Sequence, residues 1–260
     1  MKKPKALVIR AAGTNCNNET ALAFELAGAV AEQAHISELI KGTKKLEDCH
    51  MLAIPGGFSY GDDLGSGKIF ANQLSINLGD QLREFIESGK LVIGICNGFQ
   101  VIIKMGLLPA LNGLYAQDAT LTNNDSGKFE DRWVWMKTEN SSLFTKGIGK
   151  IYLPVNHGEG KFVASKETLQ QLKKDKLIKL TYTDEKGRET THYPENPNGS
   201  VMGIAAVTNK EGNVFGIMPH PEKFVTRYTH PRWKRENLPE EGDGLRIFGN
   251  MVEYAEEKLK

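Results

Sequence analysis

The sequence predicts an α/β protein built on a mostly parallel open sheet flanked by helices, with β-rich additions in its second half. Three observations predict it. The runs "KALVIR", "HMLAI" and "KLVIGI" are apolar at most positions, the composition of strands covered on both faces. Up to Pro109 such runs alternate with stretches of helical periodicity, the order of βαβ units. After Pro109 the pattern changes to successive strand-like pieces with a single short helical one.

In chain order, "KALVIRAAG" is expected as a buried strand and "NNETALAFELAGAVAEQ" as the helix after it, with Asn17 or Asn18 as its cap. "AEQAHI" follows as a short strand, and "HMLAIPGG" as a longer one ending in a turn. "KIFANQLSINLGDQLREFIESG" has helical spacing and a glycine, Gly89, placed to stop it. "KLVIGI" is the next strand and "NGFQVIIKMG" the next helix. Parallel strands joined in this way need right-handed crossovers, and ligands of such sheets bind beyond the carboxyl ends of the strands. In the second half, strands are expected at "ATLTN", "RWVWMKT", "KIYLPVNHGEG", "IKLTYTD", "GIAAVTN" and "NVFGIMPH", with a helix near "KETLQQLKK". "THPRWKRENLPEEGDG" is charged, proline-rich and weakly periodic, a surface loop before the closing helix "GLRIFGNMVEYAEEKLK". With no internal repeat, low-complexity tract or linker, residues 1–260 are expected to form one domain.

The 260 residues are 40% apolar and 25% charged, which suits a globular chain rather than a disordered one. Its 33 basic and 32 acidic residues are intermixed and leave a net charge of +1, so no basic stripe points to nucleic acid or a membrane surface. No apolar run approaches the roughly 18 residues of a membrane span, and the start "MKKPKALVIR" lacks the features of a signal peptide. A cytoplasmic protein acting on a small molecule or a protein partner is expected. Cys16, Cys49 and Cys96 are odd in number and widely spaced, giving neither a disulfide framework nor a zinc pattern; free thiols and no metal site are expected.

Cys96 stands between a predicted strand and a predicted helix, with Gly94 and Gly98 relieving close backbone approach. A tight turn there holds the thiol up at the sheet edge. The helix start favours thiolate and is expected to lower the thiol's pKa from about 8.5; the rival reading is a small buried core residue. In "GIMPHPEKF", Pro219 and Pro221 restrict the backbone to extended conformations, so His220 and Glu222 share a side and the carboxylate can orient the imidazole. A surface turn with a weak ion pair is the bland alternative. Cysteine, histidine and carboxylate are the parts of an acyl-transfer triad. Gly56 and Gly57, at another strand end in "IPGGFSYGDD", let backbone amides approach a ligand; the N–H groups of Gly57 and Asn97 are the candidate oxyanion donors. The same stretch holds "GFSYG", a G-x-S-x-G pattern centred on Ser59, but "YGDDLGSG" after it is loop chemistry where a nucleophile elbow needs a helix. "GSGK" lacks both the leading glycine and the Ser or Thr of a phosphate loop.

"PGGFSYGDDL", "GICNGFQ", "VNHGEGKF" and "GIMPHPEKF", in that order, resemble the class I glutamine amidotransferases, whose sheet is flavodoxin-like, and most closely their purine-pathway branch. The likeness runs from the first strand to about Lys223 and resumes in "DGLRIFGNMV". It implies that Cys96, His220 and Glu222 hydrolyse L-glutamine to glutamate and ammonia through a glutamyl thioester. It also implies glutamine recognition around Gly56, Gly57, Phe58 and Gln100, with His157 and Gly158 of the "HGEG" loop near the site. Ammonia would pass to a PurL-type synthetase subunit using ATP and magnesium to aminate formylglycinamide ribonucleotide, with a small PurS-type subunit as an optional third member. No cofactor is implied for this chain. The chain departs from the family pattern in "RYTHPRWKRENLPEEGDG", in an enlarged segment 186–200, and in Lys223 where arginine is usual; His192 and His230, inside these segments, are expected to be solvated. Two alternatives stand beside the glutaminase: a non-catalytic module of the same fold, and a serine hydrolase acting through Ser59.

Overall fold

The computed structural model describes residues 3–259; Met1, Lys2 and Lys260, which the expected domain and closing helix include, lie outside the described residues. Among the described residues are eleven strands and six α-helices, beginning with β1 Lys5–Arg10, α1 Asn17–Leu26, β2 Val30–His35, α2 Ile36–Ile40, β3 Met51–Ile54, α3 Lys68–Glu87, β4 Leu91–Ile95 and α4 Asn97–Lys104. The second half adds β5 Ala119–Thr122, β6 Glu130–Thr138, β7 Lys150–His157, β8 Lys161–Ala164, α5 Lys166–Lys174, β9 Ile178–Thr183, β10 Ile204–Thr208, β11 Val214–Ile217 and α6 Leu245–Lys258. Nine strands form one sheet in the order β2-β1-β3-β4-β11-β10-β9-β6-β7, and β5 and β8 pair separately.

The sheet changes character along its width. From β2 to β11 the neighbours are parallel; from β11 to β7 they are antiparallel. β3, β4 and β11 are buried at every position, so helices cover both faces there and an alternating pattern would be wrong. β11 returns from the C-terminal half to pair with β4, with Gly216 opposite Gly94 and Ile217 opposite Ile95. Residues following Ile95 and Ile217 therefore leave the same rim. That single pairing joins the corner cysteine to a histidine more than a hundred residues later.

The helices form where the sequence places an apolar stripe. In α3, Phe70, Leu74, Leu78, Leu82 and Phe85 recur at three- and four-residue spacing and are all buried. α1 ends at Leu26, seven residues short of the expected Gln33, because the backbone turns at Gly28 (φ +105°) and the remainder becomes β2. Its N-cap is Cys16, and no side chain caps it; Asn17 is its first residue. α2 and β8, of five and four residues, are elements beyond the sequence expectation; α2 is opened by a capping box between His35 and Glu38.

The late loops are less solvated than expected. His230 is 4% exposed, its ring packed against Trp133, Tyr152 and Phe224 with centroids 5.3, 5.7 and 5.3 Å away. Burial moves its pKa down. Segment 186–200 exposes His192, but Asn196, Asn198 and Ser200 are buried and tie it to Tyr182 and Phe162. Among the described residues no helix is long and apolar enough to cross a membrane.

Close approach is tightest where α4 crosses β3 and β4. A Cβ on Gly98 would collide with the Ile54 carbonyl oxygen, and one on Gly94 with the Gly98 carbonyl. Gly249 in α6 faces open space. Gly98→Ala is expected to lower stability by about 1–3 kcal/mol or more, and Gly249→Ala to raise it by about 0.5–1 kcal/mol, both read as shifts of the urea midpoint at constant m. Equal midpoints for the two variants would show that the α4 crossing is slack.

Candidate active site

Cys96 occupies the elbow between β4 and α4 with φ +51° and ψ −106°, a conformation that a residue with a Cβ adopts only under constraint. The constraint is visible on both sides. Its N–H donates to the Ile217 carbonyl of β11 at 2.8 Å, and α4 begins at the next residue, pressed on the sheet by Gly98. The side chain is 4% exposed, and its Sγ donates to the Asn156 carbonyl of β7 at 3.4 Å. Burial pushes the thiol pKa strongly up, reinforced by Cys16 and Glu222 and only partly offset by Lys223 and the Asn97 N–H. The expected lowering by the helix start is overturned: desolvation outweighs the few N–H groups of an eight-residue helix.

His220 leaves the end of β11 and is pinned to the same strand that receives the thiol, its N–H donating to the Pro154 carbonyl at 2.9 Å. Its Nδ1 lies 2.6 Å from Glu222 Oε1, and the two residues are 1% and 2% exposed. A surface ion pair is thus excluded. The route differs from the expected extended run: Pro221–Lys223 is a 3₁₀ turn, which curls the carboxylate back under the ring. Nε2 of His220 and Oε2 of Glu222 are buried without a hydrogen-bond partner. A buried imidazole nitrogen without a protein partner is costly unless it has a transient use, and accepting a proton from a thiol on the same rim is such a use.

The glycine turn after β3 is fastened to this elbow. Asn97 Oδ1 accepts from the Ser59 N–H at 3.2 Å, while its Nδ2 donates to Asp62 Oδ1 at 3.0 Å and Gln100 Oε1 at 2.9 Å. On the other side the Gly56 carbonyl accepts from the Cys16 N–H, and Gly13 accepts from the Phe58 N–H at 2.9 Å. Gly57, at φ +145° against this loop, holds a conformation that suits only glycine. Outside the helices and strands no carbonyl of the described residues accepts from the N–H of Gly57 or of Asn97, and the Asn97 N–H faces the Cys96 sulfur. Gly56 lies against the His220 ring, where a Cβ would sit 2.7 Å from Cε1. Phe58 is 45% exposed and faces the Phe129 ring at 6.1 Å, on the outside of the turn.

The other expected substrate contacts have structural partners. Gln100 is buried; its Nε2 donates to the Glu159 carbonyl at 2.6 Å and holds the "HGEG" loop against α4. His157 is buried between Asn124 Oδ1 at 3.1 Å and Asn198 Nδ2 at 3.4 Å. Burial first, then His220, pushes its pKa down to about 3, so the ring is neutral and packed rather than turned to solvent. Gly158 accepts from the Asn124 N–H at 2.9 Å and bends the loop beside Phe129. Ser59 is 2% exposed, its Oγ has no partner, and it lies in a 3₁₀ turn rather than a strand-to-helix elbow, so nothing activates it.

Residues that the sequence reading assigned no role complete the wall: Asn156, Glu159, Asn124 and Cys16. Glu159 accepts from the Ser66 N–H at 3.1 Å and pairs with Lys104 at 3.5 Å. Lys223 Nζ donates to Asn156 Oδ1 at 2.7 Å, bringing its charge near the thiols. The available signal for Cys16 was position: "GTNC" follows the first strand, at the same sheet rim.

A cysteine on a strained elbow, a buried His–Glu pair on the adjoining strand end and free amides on a neighbouring turn define a thiol-dependent amide-cleaving site of an α/β protein. Residues 3–255 match the CobB/CobQ-like glutamine amidotransferase domain, and the chain belongs to that family. A phosphoribosylformylglycinamidine synthase subunit PurQ from Dehalococcoides mccartyi is 47% identical over 259 residues, covering 98% of this chain and 99% of the relative. One from Methanococcus maripaludis is 44% identical over 264 residues, 96% of this chain and 97% of the relative. Among solved structures, a chain of PurLQS from Thermotoga maritima superposes with a TM-score of 0.74 at 32% identity, covering 97% of this chain and 99% of that one. A glutamine amidotransferase from Thermotoga maritima, 15% identical with a TM-score of 0.52, covering 100% of this chain and 94% of its own, shares the fold.

With the Cys96 thiol pKa raised, the thiolate fraction at neutral pH is small and grows about tenfold per pH unit. Alkylation of Cys96 by iodoacetamide without substrate is expected to climb in that proportion from roughly pH 7 to pH 9. A rate that levels off below pH 8 would show a standing thiolate and contradict the effect of burial.

Proposed function

We propose that this chain is the glutaminase subunit of phosphoribosylformylglycinamidine synthase, releasing ammonia from L-glutamine for de novo purine synthesis. The observation that carries the reading is the buried 2.6 Å His220–Glu222 pair on the rim that holds the elbow cysteine, in a chain 47% identical to a PurQ subunit over nearly its full length.

The chemistry follows from the site. The thiol rotates from the Asn156 carbonyl towards His220 Nε2 and gives it a proton, and Glu222 steadies the imidazolium through Nδ1. The thiolate attacks the side-chain amide carbon of glutamine. The carbonyl oxygen gathers negative charge and is met by the N–H groups of Gly57 and Asn97. His220 then protonates the departing nitrogen, ammonia leaves, and a γ-glutamyl thioester remains on Cys96. Water, deprotonated by the same imidazole, cleaves the thioester to glutamate and restores the thiol. Burial helps here: it suppresses idle thiolate while bound glutamine triggers proton transfer. Glutamine is positioned by the Gly56–Phe58 turn, with Gln100, His157 and Gly158 acting through the loop they hold.

Ammonia passes to a PurL-type synthetase subunit, with a PurS-type subunit in the assembly; the relative of known structure is described as PurLQS. ATP and magnesium belong to the synthetase, and this chain carries no cofactor of its own for the reaction. The complex works in the cytoplasm. The serine hydrolase alternative finds no support at Ser59, and the non-catalytic module has none of the triad losses that would favour it.

In the reconstituted complex, Cys96→Ala is expected to abolish amidine formation from glutamine while formation from ammonium salts survives. Glu222→Gln is expected to lower glutamine-dependent turnover roughly 10²–10⁴-fold. Product from glutamine at the wild-type rate with Cys96→Ala would sink the assignment.

A further inference from the structure

Next to the triad, three buried donors converge in a way the reaction does not use. One donor atom each from Cys16, His220 and Glu222 lies within 4.8 Å of the other two, and all three residues are buried. Cys16 takes no part in the chemistry derived above. Its Sγ and the ring atoms Nδ1 and Cε1 all pack against Gly56: a Cβ there would be 3.3 Å from both Sγ and Nδ1. Glu222 faces the thiol closely enough to act on it, and its Oε2 is buried with no geometric hydrogen-bond partner among the described residues. The thiol donates to Asn15 Oδ1 at 3.1 Å, a weak S–H bond that a stronger ligand can replace.

We propose that Cys16, His220 and Glu222 form an inhibitory binding site for a borderline-soft divalent cation of the zinc class. The donor set decides the class. Thiolate, imidazole and carboxylate are the ligands zinc takes, with separations between ligand atoms of about 3.3–3.5 Å in a tetrahedral site. His220 Nδ1 and Glu222 Oε1, 2.6 Å apart, would open to that separation, or Glu222 would turn Oε2 to the metal, while Cys16 Sγ closes in from within the 4.8 Å envelope. Magnesium and calcium want several oxygens and are not served by one carboxylate beside a sulfur. Charge also balances: one thiolate and one carboxylate neutralise a divalent cation, so the loaded cluster is neutral in a dry site where an unpaired charge would be expensive. More than two hundred residues separate position 16 from positions 220 and 222, which explains why no zinc spacing is visible in the sequence.

Loading the site stops the glutaminase without touching Cys96. The Cys16 thiol loses its proton to solvent as the metal–sulfur bond forms. The cation takes the Nδ1 lone pair, and the ring proton is then carried on Nε2. That nitrogen can no longer accept the nucleophile's proton. The charges of the cluster are satisfied by the metal, and the Glu222 carboxylate no longer steadies an imidazolium.

Two experiments test the site. In the first, zinc binding to the full chain is measured by equilibrium dialysis, without glutamine. One zinc per chain is expected for wild type and for Cys96→Ala, and binding at least about tenfold weaker for Cys16→Ser; whatever glutamine turnover the Cys16→Ser complex has without zinc should resist zinc inhibition by a similar factor. In the second, cobalt replaces zinc in the Cys49→Ala/Cys96→Ala double variant, where Cys16 is the sole remaining thiol of the three. A thiolate-to-cobalt charge-transfer band there supports the site, independently of whether Cys16→Ser folds and of the proposed reaction. Absence of that band, undiminished zinc binding by Cys16→Ser, or loss of binding in Cys96→Ala would each overturn the proposal, the last by placing the metal on the nucleophile.

Discussion

Everything at this site depends on the close crossing of α4 over β3 and β4. Without side chains at Gly94 and Gly98 the helix can start one residue after the strand stops, and that abrupt change forces Cys96 into φ +51°. The strain, of order 1–3 kcal/mol, is held by the burial around it: Ile93, Ile95, Phe99, Val101 and Ile102 are all 1% exposed or less. The catalytic geometry is therefore a product of core packing, and the nucleophile cannot relax without loosening the centre of the sheet. The pairing of β11 beside β4 then fixes where the histidine emerges, because Cys96 itself donates to Ile217 across that pair.

A second layer of polar contacts sets what the rim can do. Asn97 joins the elbow to the Ser59–Asp62 turn, Gln100 joins the same helix to the Glu159 loop, and Asn124 and Asn198 seat His157 behind them. All of these side chains bond in the interior, where a satisfied group rigidifies its surroundings and an unsatisfied one is costly. Against this background His220 Nε2 and Glu222 Oε2, unpartnered like Ser59 Oγ nearby, are the acceptors of the triad left open for chemistry or a ligand. The low dielectric that strengthens the His–Glu pair also keeps the Cys96 thiol protonated, so activation falls to proton transfer rather than to the helix dipole.

The sequence disclosed those parts of this arrangement that leave a local signature. β3, β4 and β11 are buried on both faces, and their apolar runs say so directly; α3 carries its stripe over five turns. Cys96 was legible because strand, small residue and helix meet there, and His220 with Glu222 because prolines flank them. Other features had no local signature. α1 stops at a glycine that periodicity alone passes over, α2 is too short to show a period, and His230 looked solvated because its packing partners lie on β6, β7 and the Phe224 turn. The links of Asn97 to Asp62, Gln100 to Glu159 and Cys16 to the His–Glu pair join loops far apart in the chain, and only the folded sheet rim brings them together.

The central claim is that amide cleavage passes through a covalent bond to the elbow sulfur. The most direct measurement is acid quenching of the complex during steady-state glutamine turnover, followed by digestion and mass spectrometry of the chain. A γ-glutamyl adduct on the peptide that carries Cys96, absent before glutamine is added, is the result this account predicts. The same adduct on Ser59 or on Cys16, with the Cys96 peptide unmodified, would contradict it.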